Sequence, residues 1–114
     1  MKTKGSAYFF RMTDLSRDTV EGAVERYIYT GSQLQAIEYH FPAHKVFPVH
    51  KHEHHEQMGY LVSGKMGFMV GGVERILSPG DFYHAPIGVD HNAWTLDEPA
   101  VLLDFFAPPR LDLA

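Results

Sequence analysis

Turn residues cut this chain into short pieces from residue 24 to residue 106, and nearly every piece reads as a strand. Val24 to Tyr29 alternates apolar side chains with charged or polar ones, Gly31-Ser32 turns the chain, and Gln33 to Phe41 predicts a second strand that Pro42 ends. Met58 to Val62 and Met66 to Val70 flank Ser63-Gly64-Lys65, and Gly71-Gly72 is a two-residue hairpin signal leading into Val73 to Leu77. Ser78-Pro79-Gly80-Asp81 turns the chain before Phe82 to Ala85. His91 to Leu96 follows, then a break at Asp97-Glu98-Pro99 and an apolar strand, Val101 to Phe106. No sustained 3.6-residue period accompanies them. Strands this short need two sheets to cover each other's apolar faces, so the expected fold is all-β, a two-sheet jelly-roll or barrel.

Size and charge narrow the reading further. A chain of 114 residues with 45% hydrophobic content can build one core, and no repeat or linker divides it, so residues 1–114 are expected to form a single domain. The formal charge of -4 is dispersed and no Lys/Arg cluster offers a basic face, which argues against nucleic acid or an anionic membrane as partner. Cysteine is absent, so any metal site must use nitrogen and oxygen ligands. Lys2 and Lys4 precede only a short apolar run, Ala7 to Phe10, too brief for a signal-peptide core or a membrane span. A soluble cytoplasmic protein is the expectation.

The chemistry concentrates in two segments. In HKHEHHEQMGYLVSG, residues 50 to 64, His50 and His52 stand two residues apart, a spacing that sends both side chains to one face of an extended segment. Two imidazoles converging on one point need only one or two further donors to hold a metal, and Glu56 and Gln57 are the local candidates. In GDFYHAPIGVDH, residues 80 to 91, glycine and proline shape a strand and a turn that deliver His91. A histidine-rich run is by itself as often a solvated loop as a site, and a lone histidine after a turn is more often a surface residue; the conjunction of the two segments is what carries the metal reading. His54 and His55 read as loop residues, and His40, His44 and His84 have no motif around them.

Together these segments resemble the two motifs of the cupin superfamily. The first pairs two histidines with a glutamate and a closing glycine; here His50, His52 and Gly64 match, and Gln57 falls in the glutamate slot. The second is matched by Gly80, Pro86, Gly88 and His91, with Thr95 where an asparagine is usual and, at the head of the first motif, His44 where a glycine is usual. The resemblance implies a cupin-type double-stranded β-helix holding one divalent transition metal ion on His50, His52, Gln57 and His91. Nickel, zinc, manganese, iron or copper all suit such a set. A one-residue bulge would put Glu56 on the metal instead. With Gln57 no ligand carries charge, so the ion keeps nearly its full +2 and favours acidic or polyhydroxylated guests. The missing carboxylate counts against a non-haem iron dioxygenase.

A closer resemblance extends from His50 to the C-terminal LLDFFAPPR, to the KdgF family of small cupins from pectin and alginate degradation. It implies conversion of cyclic 4,5-unsaturated uronates into linear keto-sugar acids, with Asp104 as acid/base, Phe106 lining the pocket and Arg110 pairing with the substrate carboxylate. Alternation along the last strand puts Leu102, Asp104 and Phe106 on one face, inward by the company Asp104 keeps. Burial would raise the Asp104 pKa and a nearby cation would lower it; the residues alone leave the winner open. Small cupins also imply a homodimer in which residues 1–20 cross to a second subunit. Trp94, Tyr60 and Phe68 read as core. A cupin this small also fits a different class, a metal-containing module that binds or senses a sugar acid without turnover.

Overall fold

The computed structural model describes residues 8–20 and 22–113. Among them nine strands follow one another: β1 (Arg17–Val20), β2 (Val24–Thr30), β3 (Gln35–Phe41), β4 (Glu56–Ser63), β5 (Met66–Val70), β6 (Val73–Leu77), β7 (Phe82–Ala85), β8 (His91–Thr95) and β9 (Ala100–Ala107). Helix is confined to single 3-10 turns at Met12–Asp14 and Leu111–Leu113. The strands form a six-stranded sheet in the order β1-β2-β3-β9-β4-β7 and a three-stranded sheet in the order β6-β5-β8, with every pairing antiparallel. This is a two-sheet jelly-roll, as the strand spacing predicts.

Six glycines take positive φ, and so do Ala23 and His44, at 65° and 59°. Gly71 and Gly72 take φ of 58° and 85° in the β5–β6 hairpin, values that side-chain-bearing residues rarely adopt. β1 lies outside the predicted strands: Arg17, Asp18 and Thr19 are exposed, with no alternation to reveal them, and pairing to the edge of β2 makes the segment a strand. That segment belongs to the N-terminal stretch expected to cross to a second subunit, of which residues 1–7 lie outside the described residues.

Inward positions of both sheets build one core, with Ile37, Leu61 and Met66 fully buried and Val24 and Phe106 nearly so. Burying each large apolar side chain stabilises the fold by about 1.5–3 kcal/mol. Of the aromatics expected inside, Phe68 is buried. Tyr60 and Trp94 are half-buried instead: Tyr60 packs on exposed Phe82 with centroids 4.8 Å apart, and the Trp94 ring covers Gly67, where any Cβ would collide with it.

The segment between β3 and β4 positions the site. Although Pro42 and Pro48 interrupt it, residues 44–50 run antiparallel along β8 through the backbone bonds His44 N to Leu96 O, Thr95 N to Lys45 O, Phe47 N to Ala93 O and the reciprocal pair between His50 and His91. Two residues on, the Gly88 N–H donates to the His52 carbonyl at 2.8 Å. The turn carrying the second motif therefore pins the loop carrying the first.

Candidate metal centre

His50, His52 and His91 come together in the lining of a cavity of about 310 Å³ between the sheets, within the size range of small-molecule sites. One ligand atom from each ring lies within 4.8 Å of the others, a group that can hold a metal ion. The shared orientation of His50 and His52 was expected from strand alternation, yet neither lies in a regular strand; His50 is held by its bridge to His91 and His52 by the Gly88 bond.

Hydrogen bonds set the tautomers. His50 Nδ1 lies 3.0 Å from the Pro48 carbonyl and His91 Nδ1 3.1 Å from the Val89 carbonyl. A carbonyl only accepts, so each Nδ1 carries the proton and each Nε2 offers a lone pair. Burial, then Arg110 and the neighbouring imidazoles, push the His52 pKa down to about 4, and burial lowers that of His91, so both rings are neutral at physiological pH.

Three buried polar atoms in this cavity have no hydrogen-bond partner among the described residues: His52 Nε2, His91 Nε2 and Gln57 Oε1. Each orphan costs about 1–3 kcal/mol if nothing satisfies it. His91 Nε2 and Gln57 Oε1 offer lone pairs, as His52 Nε2 does in its Nδ1–H tautomer, and such a set suits a cation. Gln57 lies inward at 6% exposure, while its neighbour Glu56 points outward and pairs with His84 Nε2 at 2.6 Å. The register of β4 with β7 and β9 is regular there, and its irregularity falls at Leu61/Ser63, so no bulge turns Glu56 inward.

Behind the imidazoles stands Asp104, 3% exposed on the inner face of β9. Gln57 Nε2 donates to Tyr83 Oη at 2.6 Å and to Asp104 Oδ2 at 3.1 Å, and Tyr83 Oη donates to Asp104 Oδ1 at 2.7 Å. Burial outweighs these bonds and the nearby Arg110 charge, raising the Asp104 pKa to about 7; burial raises the Tyr83 phenol well above its usual value. Phe106 presents its edge to His52 with centroids 5.6 Å apart, and the Arg110 guanidinium lies 5.2 Å over the Phe106 ring. Arg110 also pairs with Asp112 at 3.0 Å.

All the residues singled out in the sequence, His50, His52, Gln57, His91, Asp104, Phe106 and Arg110, line this one cavity. His40 and His84 are engaged with Glu38 and Glu56, and His55 Nδ1 meets the Pro108 carbonyl at 2.9 Å. Two contributors escaped sequence reasoning. Tyr83 was signalled only by alternation with Ala85, both being inward on β7. Gln35, wholly buried, bonds the backbone of Arg110 twice, accepting from its N–H at 3.1 Å and donating to its carbonyl at 3.3 Å.

The cupin domain model matches residues 37–106, which contain both histidine segments and Asp104. The pectin degradation protein KdgF of Dickeya dadantii is 33% identical over 92 residues, covering 81% of this chain and 84% of that protein. The chain belongs to the KdgF family of cupins. A solved KdgF from Halomonas sp. superposes on this KdgF-family cupin with a TM-score of 0.87 at 34% identity, covering 93% of this chain and 97% of the other. An RmlC-like cupin from Shewanella frigidimarina gives 0.85 at 29% identity, covering 94% and 96%.

Proposed function

We propose that this KdgF-family cupin is a one-domain, metal-dependent enzyme that opens cyclic 4,5-unsaturated uronates to linear keto-sugar acids. One observation supports it above the rest: a buried carboxyl group poised near neutrality lies one hydrogen bond from an amide whose oxygen shares a cavity with three imidazoles. The family name adds the substrate class, since the Dickeya dadantii relative is a pectin degradation protein.

His50, His52, Gln57 and His91 would hold one divalent ion, which supplies a Lewis acid for sugar oxygens with a charge that none of these ligands cancels. The reaction is an isomerisation. The anomeric hydroxyl loses a proton, the bond from C1 to the ring oxygen breaks, the C5–O unit becomes a carbonyl, and C4 gains a proton. Asp104 takes the first proton and returns one at C4, a two-way role suited to a carboxyl group whose pKa is about 7. Arg110, fixed over Phe106, receives the substrate carboxylate through its planar fork. Phe41, Phe47, Phe68 and Leu102 give the same cavity apolar walls. A homodimer remains part of this reading, and light scattering in solution tests it.

The experiment is the decay of the ultraviolet band of a 4,5-unsaturated galacturonate monomer with metal-loaded protein against metal-stripped protein. Faster, metal-dependent decay is expected. An unaccelerated decay with metal shown to be bound overturns the reading in favour of a cupin that binds or senses sugar acids without turnover.

A further inference from the structure

The position that most cupins fill with glutamate is amide here, and the hydrogen bonds around it explain why an amide is needed. Gln57 Nε2 has two protons, and both are committed, one to Tyr83 Oη and one to Asp104 Oδ2. Tyr83 has one proton, committed to Asp104 Oδ1. The single acceptor left over, Gln57 Oε1, is buried without a partner in the cavity that holds the imidazoles. Only a group that accepts on one side and donates on the other satisfies this arrangement. A carboxylate at position 57 would set its oxygens against Asp104.

The tyrosine is held as tightly as the amide. Its ring stacks on Phe68 with centroids 4.5 Å apart and planes 24° from parallel. On the facing strand position 59 is glycine, and a Cβ there would collide with both the Tyr83 ring and Asp104 Oδ1. Gly59 pairs directly with Tyr83 and with Asp104 in the ladder, so the bare backbone lets the two side chains meet across β4.

We infer that Tyr83 is a positioning residue for the ring-opening reaction: with Gln57 Nε2 it holds both oxygens of Asp104 in one orientation and joins the carboxyl group to the metal-facing amide as a single hydrogen-bonded unit. This rests on the proposed uronate chemistry for its kinetic consequence, but the unit itself is testable without substrate. Tyr83 also lines the cavity, but in this scheme it acts through Asp104 and Gln57.

The test is Tyr83→Phe, which keeps the ring and removes one hydroxyl. Expected are an unchanged metal content, a KM within about twofold of the original, and a kcat lower by about 10- to 100-fold, the range typical of supporting groups. In zinc-loaded, isotope-labelled protein the Gln57 side-chain N–H resonances should shift, and the proton that faced Tyr83 Oη should lose its protection from hydrogen exchange. Gly59→Ala, which crowds the Tyr83 ring and Asp104 Oδ1 together without removing either, should move the same resonances. Unchanged kcat against an active original protein, or unmoved Gln57 resonances in a folded Tyr83→Phe variant, would overturn the inference. If the original protein does not act on unsaturated uronates, the proposed function fails, and the resonance comparison alone decides whether Tyr83 organises the unit.

Discussion

The two halves of the site are built by different means. The imidazoles of His50 and His52 sit on a loop, held against β8 and the Gly88 turn by backbone hydrogen bonds. The carboxyl half, Gln57, Tyr83 and Asp104, stands on three neighbouring strands of the large sheet and is tied together by side-chain bonds. A loop borne on backbone pairs can adjust to an ion of somewhat different size. Three strands in register leave a proton-transfer group little freedom, and proton transfer tolerates little misplacement. Under the proposed function, most of the ion's ligands fall to the adaptable half, while Gln57 and the proton-transfer group fall to the rigid one.

The most severe break in this division is His52→Ala, which should remove most of the bound metal and all metal-dependent turnover while the thermal transition persists; a full equivalent by elemental analysis would refute the ligand assignment. Asp104→Asn comes next, with metal retained and turnover reduced about 10²- to 10⁴-fold, the span of a general acid–base group. Undiminished turnover would make Asp104 a bystander. Gln57→Glu tests the seam between the halves. Metal should bind at least as well, while affinity for anionic sugars falls as the added charge offsets that of the ion, and tighter sugar binding by calorimetry would contradict the charge argument.

The smallest effect is on stability against pH in metal-stripped protein. Because the folded-state pKa of Asp104, about 7, lies above the ordinary carboxyl value of 3.8, the native state binds more protons than the unfolded state between those values. Stability contributed by this group therefore falls as pH rises through that window. Asp104→Asn cannot ionise, so its melting temperature relative to the original protein should be higher at pH 8 than at pH 5, and a pH-independent difference would show that the carboxyl group is not desolvated.

Much of this was legible before any coordinates. Glycine and proline spacing located the strands from β2 to β9 because turns demand particular backbone angles, and motif spacing singled out Gln57 over its carboxylate neighbour. Alternation grouped Asp104 with Leu102 and Phe106, and that apolar company placed it inward. Illegible features were those that depend on pairing partners far along the chain. Residues 44–50 contain proline and no alternation, yet become a rung of the small sheet through β8. A tyrosine and a glycine in strands, Tyr83 and Gly59, look ordinary until the register sets them side by side. Gln35 gives no local signal at all, since its partner is the backbone of Arg110 at the other end of the chain.

The seam between residues 44–50 and β8 has a dynamic consequence. Its reciprocal bonds join His50 to His91, so a local opening that unzips the seam also separates two of the three imidazoles. Anything that clasps those rings adds its binding free energy to the closed form, and the amide protons of Phe47, His50, His91 and Thr95 then share one opening equilibrium with ligand release. The rim of this barrel behaves as a clasp whose wear is recorded by deuterium.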